Sequence, residues 1–190
     1  MRNQLPCGNG FTLVELLVVI AIIALLAAMA FPAIQGTMAK GRDARCASNL
    51  KNLSAGVLAY CADNNGLFPN PRLAMADTNK ENYWHRQISG YLAATNFDAF
   101  TGRSKMDNMF LCPSDPAPYE KKLSYGLNSE LFRKRLPNAT RTTAIMIADS
   151  SSFSLTPART KTNHGPSVQF VRLDGSFGRV TNVGTAVTSP

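Results

Sequence analysis

From Leu16 to Ala39 the chain runs 24 residues without a charge, and between Leu16 and Phe31 only Leu, Val, Ile, Ala, Met and Phe occur. A helix rises about 1.5 Å per residue and a bilayer core is about 30 Å thick, so about 20 such residues cross it. The run is apolar all round, which suits lipid or the centre of a helical assembly rather than one side of a soluble domain. Pro32 falls late in it and removes a backbone donor, which predicts a kink or a local break there. Glu15 stands alone at the mouth of the run. An ionised side chain at a membrane boundary needs water or a partner. The plain reading solvates Glu15 in the headgroup layer. The sharper reading uses Gly10-Phe11: a cut there gives Phe11 a new cationic amine, four residues from Glu15 and within one helical turn. The amine of an adjacent copy could meet the same carboxylate and set the axial register between subunits.

Beyond Pro32 the pattern changes. Cys46, Leu50, Leu53, Val57 and Tyr60 or Cys61 form an apolar stripe at helical spacing, with Lys40, Arg42, Asp43, Arg45 and Lys51 pointing elsewhere. Gly36, Gly41 and Gly56 weaken the helix locally, and Asp63-Asn64-Asn65-Gly66 ends it. Trp84, Ile88, Tyr91 and Leu92 keep helical spacing. Met109 to Cys112 and Ala144 to Ala148 read as short strands, the second of them buried. Ser167 to Arg172 and Ser176 to Val180 alternate on either side of Asp174-Gly175, the strongest short hairpin signal. The stretches 70–80 and 98–108 read as loops, and the tail after Val183 as frayed. The fold class predicted is α+β: a long N-terminal hydrophobic α-helix packed on a small head with an antiparallel β-sheet.

Gly10-Phe11-Thr12-Leu13-Val14-Glu15, followed by the apolar run, resembles the signature of type IV pilins and type II secretion pseudopilins. The resemblance implies that a prepilin peptidase cuts after Gly10 and methylates the amine of Phe11. It implies that Glu15 sets register in a filament, and that Pro32 is the proline such stems often carry. In the head, Cys46-Ala-Ser-Asn-Leu-Lys51, Phe110-Leu-Cys-Pro-Ser-Asp115 and Ser124-Tyr125-Gly126-Leu127-Asn128 are similar to the pilin-like proteins of planctomycetes and their relatives. So is His164, nine residues, then Asp174-Gly175, the processing-associated H-X9-DG motif. The implied organisation is a leader at 1–10, a transmembrane and assembly helix at 11–39, its amphipathic continuation at 40–62, and a periplasmic α+β head at 63–190. The implied location is the inner membrane, single-pass, with the head outside the cytoplasm. Lys40, Arg42 and Arg45 after the run, against Arg2 before it, favour the reverse topology by the positive-inside rule; the signature outweighs that count. The implied partners are the prepilin peptidase, other copies or related pseudopilins, and the inner-membrane platform of a secretion or pilus machine. A secretory signal peptide cut after Ala28-Met29-Ala30 is the competing reading, and it leaves Thr12 and Glu15 unexplained.

Composition changes this picture little. The formal net charge is +8, of which Arg2 in the leader supplies one. Basic charge attracts nucleic acid, but the densest cluster, Arg133-Lys134-Arg135, reads as a short polar helix with no aromatic platform interleaved. A solvated face is favoured over a nucleic-acid site. The alternative function, an exported periplasmic or surface binding protein such as a DNA-binding minor pilin, would use this cluster and keep the N-terminus only as a signal or anchor. Cys7 leaves with the leader. Cys46 and Cys61 lie 15 residues apart on one predicted helix, about 22 Å along its axis, too far to pair. An exported head permits a disulfide of either with Cys112, and three reduced thiols are equally consistent.

The only histidines are His85 and His164, and neither a phosphate loop nor a nucleophile elbow occurs. No catalytic site and no enzyme activity are predicted. Asp174-Gly175 reads as a turn and His164 as a hydrogen-bonding post that pins the preceding loop. A metal site at His164 would need converging ligands, for which Asp149 qualifies only by residue type, and no zinc spacing is present. No cofactor is predicted. Calcium, which major pseudopilins often hold, stays open as a minor alternative, although the head lacks the run of alternating Asp and Asn that such a loop uses.

Overall fold

The structure is a computed structural model, and it describes residues 11–71, 83–92, 109–118, 123–132, 134–136 and 144–181. The leader, most of the loop at 70–80, the loop at 98–108 and the tail lie outside the described residues. Two compact units are present, the first ending at Lys40 and the second spanning Gly41–Pro190.

Helix α1 (Leu13–Asp63) runs through Pro32 without interruption, so the local break expected there does not occur. A single missing donor costs one intrahelical bond, and the long helical runs on both sides carry the helix past it. In the first unit the large apolar side chains, Phe11, Leu13, Leu16, Ile20, Leu25, Phe31 and Met38 among them, are exposed. The helix is long and apolar enough to cross a membrane, by length and composition. In the second unit the same helix buries one stripe: Cys46, Leu50, Leu53 and Val57 are fully buried and Cys61 nearly so. Asn65 and Gly66, at φ 54° and 79°, end it, with the Gly66 amide donating to the Cys61 carbonyl at 2.7 Å.

The second unit contains a five-stranded sheet in the order β3-β1-β2-β4-β5, formed by β1 (Tyr125–Asn128), β2 (Ile145–Asp149), β3 (Ser154–Leu155), β4 (Val168–Arg172) and β5 (Phe177–Val180). The pairings β1·β2, β2·β4 and β4·β5 are antiparallel. β3 runs parallel to β1, so the sheet is mixed rather than purely antiparallel. The chain leaves β2, turns through Ser150–Phe153 and lies down on the far side of β1. Glycine at 126 is what lets it pass: a Cβ there would sit 2.8 Å from Ser150 Cβ and 2.9 Å from the Leu155 amide nitrogen.

β1 and β2 are buried along their whole length, as central strands covered on both faces are. One face packs Tyr125, Leu127, Ile147 and Val171 with the α1 stripe, Trp84 and Ile88. The other carries a smaller cluster of Ile145, Ala148, Leu155, Val168 and Phe170. The helix expected around Trp84 is one turn, α2 (Trp84–Gln87), followed by a tighter turn at Ser89–Tyr91. Two expectations fail. Met109 to Cys112 is a turn and not a strand; its burial comes from contact with α1, not from a ladder. Of the basic cluster, Arg133 lies outside the described residues, and the rest is no helix: Arg135 makes an isolated bridge to Leu67.

His85 shows how the core reads pH. Its ring keeps a partly exposed edge, yet Nδ1 is buried without a partner among the described residues. The rings of Tyr83, Trp84 and Phe110 stand 5.2 to 5.9 Å from it. Burial, helped by the Arg86 charge, pulls its pKa down to about 4 from 6.5. The unfolded chain therefore takes a proton near pH 6.5 that the native chain refuses until about pH 4. The stabilisation is present above pH 6.5 and is lost as pH falls through that window. Discounted for the exposed edge, it amounts to about 2 kcal/mol. Asp149, whose carboxyl is raised, works in the opposite sense over an overlapping range, so the difference between variants isolates His85. Urea unfolding of the parent and of His85→Phe at pH 7 and pH 4 should show the parent losing about 2 kcal/mol relative to the variant. Parallel pH profiles would contradict this.

Candidate functional site

Two places carry chemistry. The first is the start of α1. Gly10 lies outside the described residues, and Phe11 is exposed just ahead of the helix. Thr12 is the cap: the Glu15 amide donates to Thr12 Oγ1 at 3.2 Å, and Glu15 Oε2 accepts from the Thr12 amide at 2.9 Å and from its hydroxyl at 2.7 Å. Thr-x-x-Glu is thus a reciprocal capping box, which satisfies backbone donors that a helix start leaves bare. Sequence reasoning about charge missed this local role, though the spacing alone signals it.

The second place lies where four elements meet. α1 supplies Asp43 and Cys46, the turn at 109–112 supplies Cys112, the end of β2 supplies Asp149, and the loop before β4 supplies His164. Cys46 and Cys112 are joined as a disulfide, with Cα atoms 5.1 Å apart, and Cys61 is free and buried. The Asn49 side chain helps seat the turn, donating to the Leu111 carbonyl at 3.0 Å. Burial pushes the Cys61 thiol up to about 11, so it stays protonated and inert.

The His164 side chain is fully buried. Its Nδ1 stands 2.5 Å from Asp43 Oδ1; a carboxylate only accepts, so Nδ1 carries the proton. Nε2 then faces Cys112 Sγ at 3.4 Å and Asp149 Oδ2 at 3.6 Å. Asp43 Oδ2 accepts from Arg179 Nη2 at 2.6 Å, tying β5 to the helix through the same carboxylate. Burial alone would raise the Asp43 pKa, but the hydrogen bonds and charges of Arg179 and His164 outweigh it and hold the carboxyl below its usual value. Asp149 is fully buried, and burial pushes its carboxyl up to about 7 against the pull of the Gln169 amide, which donates to Oδ2 at 2.8 Å. The Asn163 side chain, like the Gln169 amide, offsets part of that rise.

His164 therefore does not sit with Asp174 and Gly175. Those two form the β4–β5 turn: Gly175 lies at φ 78°, and the Ser176 amide donates to Asp174 Oδ1 at 2.8 Å. From its spacing Asp43 is expected only to point away from the apolar stripe, and no role in a site follows from that. It lies off the apolar stripe but is covered by chain from 121 and 136 residues away. The placement of Asp43 and Cys46 three residues apart on one helix is the local signal that could have hinted at it. Lys134 and Arg135, the described members of the basic cluster, are exposed.

A family model described as the prokaryotic N-terminal methylation motif matches residues 8–31. No curated protein and no solved structure matches the chain. The motif is the kind found on prepilin-processed, type IV pilin-like chains, and it runs into the one helix among the described residues that is long and apolar enough to cross a membrane.

Proposed function

We propose that this chain is a pseudopilin-like structural subunit of a type II secretion or type IV pilus-like filament. A prepilin peptidase cuts it after Gly10 and methylates Phe11. Copies, or related pseudopilins, pack their apolar helices on an inner-membrane platform, with the globular unit outside the cytoplasm. The protein acts by assembly rather than turnover. The observation that carries this reading is the methylation motif at residues 8–31, placed directly on an exposed apolar helix. A surface of that length, fully apolar, calls for lipid and then for other copies. The H-X9-DG residues His164, Asp174 and Gly175 fit a scaffolding role in the head: one ties the loop to α1 and the other two turn a hairpin.

The capping box sharpens the test. Gln at position 15 can still accept from Thr12 and keeps the helix start, but it carries no charge to pair with the Phe11 amine of a neighbour. Co-expression with a prepilin peptidase should lower the intact mass by the leader and raise it by one methyl, for the parent and for Glu15→Gln alike. Truncating one partner of a close charge pair costs about 3 kcal/mol, or about a hundredfold in subunit affinity. Sheared-filament yield from Glu15→Gln should fall to that extent. Normal filaments from this variant would reduce Glu15 to a cap, and an uncut chain would remove the processing step altogether.

A further inference from the structure

We infer that, once its disulfide is reduced, the globular unit binds one thiophilic divalent cation, zinc being the type case, through Cys46 Sγ, Cys112 Sγ, His164 Nε2 and Asp149. This stands apart from the filament reading. The ligand atoms of Cys46, Cys112 and His164 all lie within 4.8 Å of one another and all three residues are buried. Asp149 adds a fully buried carboxylate whose Oδ1 accepts no hydrogen bond among the described residues.

The distances suit a tetrahedron. With Zn–S at about 2.3 Å and Zn–N or Zn–O at about 2.0–2.1 Å, the S···N edge is about 3.6 Å and the N···O edge about 3.3 Å. Cys112 Sγ to His164 Nε2 is 3.4 Å, and His164 Nε2 to Asp149 Oδ2 is 3.6 Å. The two bonded sulfurs must part, to about 3.8 Å. Asp43 completes the arrangement from behind. By accepting the Nδ1 proton it fixes the tautomer that offers Nε2 as a lone pair, and it orients the ring, as carboxylates behind metal-bound histidines do. Two thiolates and an imidazole select a borderline-soft ion over calcium or magnesium. Burial of every ligand describes a closed, structural kind of site.

The chemistry balances with a dithiol reductant. Thiol–disulfide exchange transfers two electrons and two protons to the Cys46–Cys112 bond, giving two thiols and an oxidised reductant. The cation then displaces the two thiol protons and takes both thiolates. Oxidation by a disulfide donor reverses the sequence and expels the ion, because the sulfur electron pairs return to the S–S bond. Disulfide and metal are alternative staples of one junction between α1, the 109–112 turn, β2 and the loop before β4.

The test uses the full chain in detergent, with Cys61→Ala to remove the third thiol. The chelator-stripped protein, oxidised or reduced anaerobically by a phosphine, is incubated with zinc and gel-filtered, and bound metal is counted. One zinc per reduced chain and none per oxidised chain is the expected result. Cobalt in place of zinc should give thiolate-to-metal charge transfer and the intense visible bands of a tetrahedral site. Cys46→Ser should abolish both. Asp43→Asn, a positioning change, should keep the stoichiometry and weaken affinity about 10- to 100-fold. Near-ultraviolet dichroism from Trp84 reports the fold throughout. A folded reduced chain that takes up no zinc, equal uptake by the oxidised chain, uptake that survives Cys46→Ser, or a reduced chain that unfolds and is not restored by zinc would each overturn the assignment.

Discussion

Trp84→Ala is expected to lower the stability of the globular unit by about 4–5 kcal/mol. The indole is fully buried and meets the Phe110 ring edge-on at 5.9 Å. Its loss leaves a cavity that the sheet and the α1 stripe, fixed on either side, cannot close. Its Nε1–H also donates to the Phe153 carbonyl at 2.8 Å, the same carbonyl that accepts from the Leu127 amide at 3.1 Å. Trp84 thereby clamps the segment that carries the chain round β1 into the parallel strand β3. Trp84→Phe keeps most of the volume and removes the donor, so it should cost about 1–2 kcal/mol. Urea unfolding of the full chain in detergent measures both. Hydrogen exchange adds a spatial readout: the Leu127 amide and the β3 amides should lose protection in Trp84→Phe before the β4–β5 hairpin does. A Trp84→Ala variant within about 1 kcal/mol of the parent would mean that the site collapses freely, against the packing described.

What the sequence made legible was what short-range periodicity encodes. The stripe Cys46, Leu50, Leu53, Val57 is one helical face, and each member is buried where the spacing puts it. Asp174-Gly175 needed no distant chain to become a turn, since Gly175 supplies the positive φ and Asp174 its own Ser176 hydrogen bond. Ile145 to Ala148 was apolar enough to be a central strand. The rest depended on contacts between segments far apart in the chain. Met109 to Cys112 looked like a strand because it is apolar, but its apolar atoms serve α1 and Trp84, while its backbone pairs at Ser124 and Asn49. β3 is two residues long and its direction is set by the crossing at Gly126. Asp43 sits among Arg42, Arg45 and Lys40 and shares their polarity; only the return of residues 164 and 179 covers it. The choice of Cys46 over Cys61 follows the same logic, because it is the 109–112 turn, seated on Asn49, that decides which end of the stripe Cys112 meets.

That disulfide should be the other large term in stability. Its cysteines are separated by 66 residues, and the loop-closure entropy removed from an unfolded chain by such a link corresponds to about 4 kcal/mol at room temperature. Replacing both cysteines with Ala, in oxidising buffer, is therefore expected to destabilise the globular unit by about that amount, or about 2 M in urea midpoint for an m-value near 2 kcal/mol/M. Cys61→Ala serves as the comparison, since it removes a buried thiol without touching the link and should cost about 1 kcal/mol. Part of the double-variant loss is native-state packing. His164 Nε2 faces Cys112 Sγ, and a methyl group there leaves that buried nitrogen without its sulfur neighbour. Reduction of the parent separates the two contributions, because it cuts the link but keeps both sulfurs in place. If chain entropy dominates, the reduced parent and the double Ala variant should unfold at nearly the same urea concentration when zinc is absent. A reduced parent that keeps the full stability of the oxidised chain would show that the 66-residue loop is already held closed by the α1 stripe, Asn49 and the Asp43–His164 pair, with the disulfide adding nothing to equilibrium stability.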